Sequence, residues 1–453
     1  MTTRRRVAGR GQVVCVDVGS TFTKAALVDL ADGTLLGTAT HATTLGSDVM
    51  DGVDAVRAEL GAQAASTLAC SSAGGGLRLA VVGYERVVTA EAGHRVGLSA
   101  GARVVHVAAG PMGDDDLDAL LAARPDVVLL VGGTDGGNAE ILRHNAGVIA
   151  ARRLTVPVVL AGNVDARDDV AAVLAAAGVP VTATANVLPE IGRLDPLPAR
   201  LAIREVFIQH VIGGKGLSRR ADFPAMVRAA TPDAVLAGVE LLADGHGETG
   251  GAGDVLVVDV GGATTDVYSV VTPQGEDATI HREVVGTLWH ARTVEADLGM
   301  RWTAEGVVDA AVRERLALDD ATARYAAEVA RDTPHLAGTD AEWAAEESIA
   351  STAAVVAVRR HGRPAHPSER PRPLAEVALV VGSGGVLRHA PGGVGDRVLS
   401  RVTGDHGGGW RVPEQAARRV DNAYVLFAVG LLADDYPDAA AALAAPLAGA
   451  QSA

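Results

Sequence analysis

Apolar positions in this chain fall in short runs separated by glycine and a few polar residues. VVCVDVG (Val13–Gly19) is followed by a polar turn and KAALVDL (Lys24–Leu30), and a further turn at 31–33 leads into TLLGTATHAT. These runs predict a β-meander, after which VMDGVDAVRAELG (Val49–Gly61) shifts to helical spacing. STLACSS (Ser66–Ser72) reads as a buried strand that ends in the glycine-rich SAGGGLRLAVVGY. From 101 to 215, aliphatic strands at ARVVHVAAG, PDVVLLVGG, VPVVLAGN and VPVTATANV alternate with alanine-rich helical stretches at Asp114–Ala123, Ala139–Arg153 and Arg167–Ala177. Strand, glycine turn and helix in repetition predict an α/β fold with a mainly parallel sheet.

The proline-bearing LPEIGRLDPLP (Leu188–Pro198) reads as a hinge or domain entry, followed by REVFIQHVIGGKGL and a helix near Phe223–Ala230. GHGETGGAG (Gly245–Gly253) has the composition of a linker, and a second β-meander begins beyond it. The region Arg292–Ala350 reads as mostly helical, with an amphipathic section over 302–332. A proline-rich loop at Arg359–Pro373 precedes EVALVVGSGGVLRHA, a strand feeding a glycine turn and a helix, and alanine-rich helical sequence closes the chain. The expected organisation is a first lobe over 11–100, an α/β region over 101–245 that continues it and carries an inserted subdomain, and a second lobe over 254–450.

The two meanders share more than their spacing. VVCVDVGSTFTKAALVDL (Val13–Leu30) returns as DVLVVDVGGATTDVYSVV (Asp254–Val271), each with an aspartate at the end of an apolar run, then glycine and small residues. A hairpin bent in this way exposes backbone amides at Gly19–Thr21 and Gly261–Thr264, including those of Gly262 and Ala263, which suit phosphate oxygens. Hydroxyls of Ser20, Thr21, Thr23, Thr264 and Thr265 add donors, and Lys24 either reaches phosphate or is solvated. Asp17 and Asp259 cannot favourably face phosphate, so Mg²⁺ or its water shell belongs between carboxylate and phosphate. A third element, VVGSGGVLRHA (Val380–Ala390), offers a flat turn at Gly382, Ser383, Gly384 and Gly385 against which an adenosine would lie. The first loop lacks the spacing of a P-loop.

Composition narrows the partners. Aromatics supply 3% of a chain that is 48% hydrophobic, so its cores are aliphatic, and a formal charge of −15 argues against nucleic acid. Cys15 and Cys70 read as small core residues. The Arg4–Arg6 cluster has no apolar signal segment after it, and no run reaches the roughly 18 apolar residues of a membrane span, so a soluble cytoplasmic protein with no membrane partner is expected. His41, His94, His106, His144 and His210 show no metal-ligand spacing. Alanine-rich helices would suit a homo-oligomer.

DVGSTFTK, DVGGATTDVYS and VGSGGVLR resemble the phosphate 1, phosphate 2 and adenosine motifs of the actin-like ATPase superfamily, which includes sugar kinases and the Hsp70 nucleotide-binding domain. The resemblance implies a duplicated, ribonuclease H-like α/β fold with an ATP cleft between two lobes, Mg²⁺ organised by Asp17 and Asp259, and ATP held by the two hairpins and the adenosine turn. In that superfamily a carboxylate or amide near the γ-phosphate positions the attacking group. Asp135 and Asp266 are the catalytic candidates, with Glu140 beside them. Asp135 and Asn138 in GGTDGGN also read as helix caps or Asx turns, and Asp266 as the residue that closes its hairpin.

Over nearly its whole length the chain resembles the MutL/GlmL family, through DVGSTFTKAALVD, SSAGGGL (Ser71–Leu77), VVLLVGGTDGGNAE (Val127–Glu140), VLAGN ending at Asn163, and DVGGATTDVYS. This family is unrelated to the mismatch-repair protein of the same name. Its members are inferred to be ATP-driven chaperones that exchange damaged cobalamin on adenosylcobalamin-dependent mutases of the glutamate mutase type. The resemblance implies a mutase partner, and the absence of a D-x-H-x-x-G segment fits a protein that acts on a cobalamin enzyme without carrying the cofactor. A small-molecule kinase, a filament-forming ATPase and a subunit of an ATP-dependent hydrolase or carboxylase are the competing readings.

Overall fold

The structure is a computed structural model that describes residues 11–73, 77–84, 92–93, 96–97, 102–212, 216–272, 290–364, 371–409 and 411–449. The glycines at 74–76, the Arg4–Arg6 cluster and His94 lie outside the described residues. The strands, in chain order, are β1 (Gln12–Val18), β2 (Phe22–Asp29), β3 (Leu35–Ala42), β4 (Ser66–Ser71), β5 (Arg78–Gly83), β6 (Arg103–Ala109), β7 (Val127–Leu130), β8 (Val158–Leu160) and β9 (Val181–Ala183). They continue as β10 (Val227–Ala230), β11 (Gly245–His246), β12 (Thr249–Gly250), β13 (Val255–Val260), β14 (Thr265–Val270), β15 (His290–Glu295), β16 (Leu379–Ser383) and β17 (Ala417–Val420).

The described residues form two compact units, one of 11–237 with 427–439, the other of 238–272, 290–426 and 440–449. The first unit holds a five-stranded sheet of order β3-β2-β1-β4-β10. Its β1, β2 and β3 form an antiparallel meander, while β4 runs parallel to β1 and β10 parallel to β4. The second unit holds β15-β14-β13-β16-β17 with the same sense of pairing throughout. Counted from its own first strand, each sheet therefore reads 3-2-1-4-5, with the aspartate-bearing strand in the centre. A central strand is covered on both faces, so β1 is buried from Val13 to Val18 and needs an almost continuous apolar run.

The first unit also contains an all-parallel sheet of order β6-β5-β7-β8-β9, or 2-1-3-4-5 in its own count. Side chains alternate between its faces. Val128 and Leu130 pack with Leu142, Ile149 and Leu174 of the flanking helices. Val127 and Leu129 join the core that Val14, Val16 and Val18 share with Met50, Val53 and Val56. In the second unit Leu256, Val258 and Val260 pack on Ile349, Ala353 and Val356 of the long helix Asp340–Gly362.

Three local expectations take a different or more detailed form. Only Asp222–Met226 of the expected helix near Phe223–Ala230 is helical, and Val227–Ala230 is instead β10, the outer strand of the first sheet. The open edge of β4 takes it up in parallel, Val227 opposite Ala69 and Ala230 opposite Ser71, and pairing outweighs the helical preference of its alanines. The amphipathic section at 302–332 is two helices, Ala304–Glu314 and Asp320–Arg331, broken after Arg315 takes a left-handed conformation with φ 56°. GHGETGGAG is no loose linker. It folds into the β11–β12 ribbon, where a Cβ on Gly245 would lie 2.4 Å from the Gly251 nitrogen. Among the described residues no helix is long and apolar enough to cross a membrane.

Candidate nucleotide site

The two hairpins match residue for residue. Asp17 pairs with Lys24 and Val18 with Thr23 across the first; Asp259 pairs with Asp266 and Val260 with Thr265 across the second. Both close by the same hydrogen bond, Gly19 N–H to Phe22 O at 3.1 Å and Gly261 N–H to Thr264 O at 2.9 Å. The glycines are required there by space, because a Cβ would stand 2.8 Å from the Phe22 oxygen and 2.9 Å from the Thr264 oxygen. The closing bonds use the amides of Gly19 and Gly261. Those of Ser20 and Thr21, and of Gly262, Ala263 and Thr264, donate to nothing among the described residues. Consecutive open amides at a tight turn form a concavity for anionic oxygen.

Each turn is also held from behind by a segment that the sequence pattern did not single out. In the first, Thr43 donates its N–H to Thr21 O at 2.9 Å and its hydroxyl to Gly19 O at 2.8 Å. In the second, Met300 N–H bonds Gly261 O, Arg301 and Trp302 N–H both bond Gly262 O, and the Thr303 hydroxyl bonds Ala263 O. Their carbonyls thus occupied, the turns present their amide side outward. Phe22 and Trp302, 48% and 64% exposed, are the exposed aromatics among the large apolar side chains described, and both belong to these turns.

Thr23 and Thr265 do not serve the loop mouths. Both are fully buried; Thr23 Oγ1 shares a hydrogen bond with Thr43 Oγ1, and Thr265 Oγ1 donates to Leu298 O. They brace the hairpins from below. Ser20 and Thr21 remain exposed at the first turn, and Lys24 is partly buried opposite Asp17. Asp17 itself is 3% exposed; its Oδ1 accepts from Thr231 Oγ1 at 2.6 Å and lies 3.7 Å from Cys70 Sγ. Burial pushes the Cys70 thiol well up, and the neighbouring Asp17 charge adds to the shift, so Cys70 stays a neutral core thiol.

The two catalytic candidates are engaged elsewhere. Asp266 Oδ1 accepts from Arg292 Nε at 2.9 Å and also from Nη2, while Oδ2 accepts from Thr264 Oγ1 at 3.0 Å. It therefore closes the second hairpin and neutralises a buried arginine, whose own charge burial opposes and Asp266 restores. Asp135 sits at the carboxyl edge of the parallel sheet, where Oδ1 accepts from Val164 N–H at 3.0 Å and Asn186 Nδ2 at 2.8 Å. It stitches the start of the helix Val164–Ala176 to the loop after β9, with Asn163 capping the same helix. Asn138 Oδ1 accepts from Glu140 N–H at 2.7 Å in an Asx turn just before the helix Glu140–Arg152, whose N-cap is Ala139. Asp135 belongs to neither hairpin, and Asp266 is held within its own, bonded to Thr264 of the turn and to Arg292.

The glycine turn after β16 divides its labour. Gly382 and Ser383 are buried, and a Cβ on Gly382 would meet Leu387 at 2.5 Å. Gly384 has φ +109° and would press a Cβ to 2.1 Å from Val260 O, so the turn lies directly on the end of the Asp259 strand. Gly385 is exposed with open space where a Cβ would be, which leaves it as the residue of this turn with room for a ligand. For Mg²⁺, no group of three His, Cys, Asp or Glu side chains gathers among the described residues. Mg²⁺ takes one or two carboxylates and completes its shell with phosphate and water. Asp17 and Asp259, at matching positions beside open amides, would hold it, and it would supply charge neutralisation at the phosphates.

Two sheets of order 3-2-1-4-5, each with an aspartate on its central strand and a glycine hairpin beside it, define the duplicated fold of the actin-like ATPases. The family model described as MutL protein matches residues 13–446. Protein MutL of Clostridium tetanomorphum is 34% identical over 452 residues, covering 94% of this chain and 96% of its own length. The chain belongs to the MutL family, which is distinct from the DNA-repair protein of that name. Solved structures are more remote. A nucleotide-free acetone carboxylase is 15% identical with a TM-score of 0.36, covering 97% of this chain and 70% of its own. Component A of Acidaminococcus fermentans (R)-2-hydroxyglutaryl-CoA dehydratase is 10% identical with a TM-score of 0.33, covering 95% and 100%. The strand order, not these overlays, fixes the class.

Proposed function

We propose that this protein is a nucleotide-binding reactivating factor for an adenosylcobalamin-dependent mutase of the glutamate mutase type, and that it hydrolyses ATP with Mg²⁺ to do so. The observation that carries the nucleotide half is the register-for-register repetition of the two hairpins, each with a closing glycine, open amides and an aspartate at the same position. Backbone donors held rigid from behind cost no reorganisation when charge develops on a transferred phosphoryl group. The client half rests on membership of the MutL family.

In this reading the Ser20–Thr21 and Gly262–Thr264 amides take phosphate, Asp17 and Asp259 face the metal, and Gly385 lies by the adenosine. Loss of the terminal phosphate removes a ligand that holds the hairpins in one state, and a partner that prefers the other state is released or engaged. The test mixes an inactivated mutase with this protein, Mg-ATP and fresh adenosylcobalamin. Return of mutase activity that needs both the protein and hydrolysable nucleotide is expected. No return, together with phosphoryl transfer to an added small-molecule acceptor, would replace the reactivase with a kinase.

A further inference from the structure

Thr231 opens the helix Thr231–Asp244 and is followed by Pro232 and Asp233. Threonine before proline at a helix start is the local grammar of an N-cap, whose oxygen ordinarily accepts from an N–H in the first turn. No such bond is present at Thr231 among the described residues. Its hydroxyl instead donates to Asp17 Oδ1 at 2.6 Å, across 214 positions of sequence. The contact exists because β10 lies outside β4, and β4 outside β1, so the residue just past β10 comes level with the carboxyl end of β1.

The residue just past the fifth strand of the second sheet does something else, and by register it lies level with Asp259, as Ala229 lies level with Asp17. Asp421 stands just past β17, and its carboxylate accepts from Val425 N–H at 2.9 Å on both oxygens and from Leu426 N–H at 3.2 Å. Thr231 braces the aspartate of its sheet, whereas Asp421 caps the chain segment that follows it.

Resting on the nucleotide reading above, we propose that Thr231 is a positioning residue that fixes the carboxylate of Asp17 toward the metal of a bound metal–nucleotide. A carboxylate this buried rotates only within the donors that surround it, and Thr231 is the hydroxyl that holds Oδ1. Partners of this kind, one shell out from a metal, typically change metal affinity by roughly 10–100-fold when removed.

The experiment measures Mn²⁺ binding to the full-length protein with a non-hydrolysable ATP analogue, by electron paramagnetic resonance, for wild type, Thr231→Val, Thr231→Ser and Asp421→Asn. Binding of the analogue in excess EDTA is measured alongside. The expected result is weaker Mn²⁺ binding in Thr231→Val by roughly 10–100-fold, near-normal binding in Thr231→Ser and Asp421→Asn, and unchanged analogue affinity in EDTA. Thr231→Val binding Mn²⁺ as wild type does, or losing analogue equally in EDTA, overturns the role of Thr231 alone. Wild type that binds no analogue under either condition overturns the nucleotide reading itself.

Discussion

Asp266 is the residue on which the chemistry of a phosphate-site carboxylate and the demands of folding make opposite predictions. If it serves the Arg292 ion pair, Asp266→Ala leaves a guanidinium 7% exposed at its side chain without its partner. Tyr268, whose ring lies 5.7 Å from that guanidinium and whose phenol also hydrogen-bonds it, supplies no negative charge in its place. Stranding one member of a buried pair costs about 3–5 kcal/mol. A domain of roughly 150–250 residues loses about 2–4 °C of melting temperature per kcal/mol, so the expected fall is on the order of 10 °C. The double variant Asp266→Leu with Arg292→Met removes both charges and should return close to wild type, since apolar replacement of a buried pair is often neutral or stabilising. Calorimetry of the three proteins reads the melting temperature, and turnover is measured well below it. A wild-type melting temperature for Asp266→Ala with turnover abolished would refute the ion-pair assignment and restore a catalytic one.

Gly19→Ala and Gly261→Ala each push a methyl against the oxygen that closes the hairpin, at 2.8 and 2.9 Å, and should weaken nucleotide binding at least about tenfold by titration calorimetry, equivalent to about 1.4 kcal/mol. Trp302 is exposed and its amide is bonded to the second turn, so its fluorescence should change on nucleotide binding, and Trp302→Phe should lose that part of the signal. His361 is buried between Ser269, Thr293 and Arg372, and burial, aided by the Arg372 charge, holds its pKa well below 6.5. The folded value lies below the unfolded one, so its contribution to stability is complete above about pH 6.5 and is lost as pH falls below it. Unfolding free energy should therefore decline through that window in wild type and less steeply in His361→Gln.

The hairpins were legible because everything that makes them is local. Asp17, Gly19 and the hydroxyls are neighbours in sequence, and the repeat at Asp259 doubles the signal. Thr23 and Thr265 could have been read as buried from the same strings, since Thr23, Ala25 and Leu27 form one period-two face of β2, as Thr265 and Val267 do in β14. What was not legible depends on contacts far apart in the chain. Thr43 and the segment 300–303 support the turns only because β3 and β15 return beside them. Val227–Ala230 carries no marker of a strand until β4 offers it an edge, and with β10 unseen, Thr231 had no reason to be associated with Asp17.

The comparison of the two hairpins also separates what was duplicated from what was not. Closing bonds, open amides and occupied carbonyls repeat in both turns, and apart from the glycines that make room for them and the Thr43 and Thr303 hydroxyls that reach two of the carbonyls, all are backbone properties. The side chains differ at the position opposite each aspartate, Lys24 in one and Asp266 in the other. A second acid so close to Asp259 requires a compensating cation, and Arg292 on β15 supplies it within the same sheet. Phosphate binding, if it resides in the repeated backbone, should therefore tolerate exchange of these charges better than metal binding does. Lys24→Met would then reduce nucleotide affinity only modestly, whereas Asp17→Asn would remove the Mg²⁺ dependence of that affinity. The opposite ranking in a titration with and without Mg²⁺ would place phosphate recognition in the side chains, and the repetition of the backbone would lose its functional meaning.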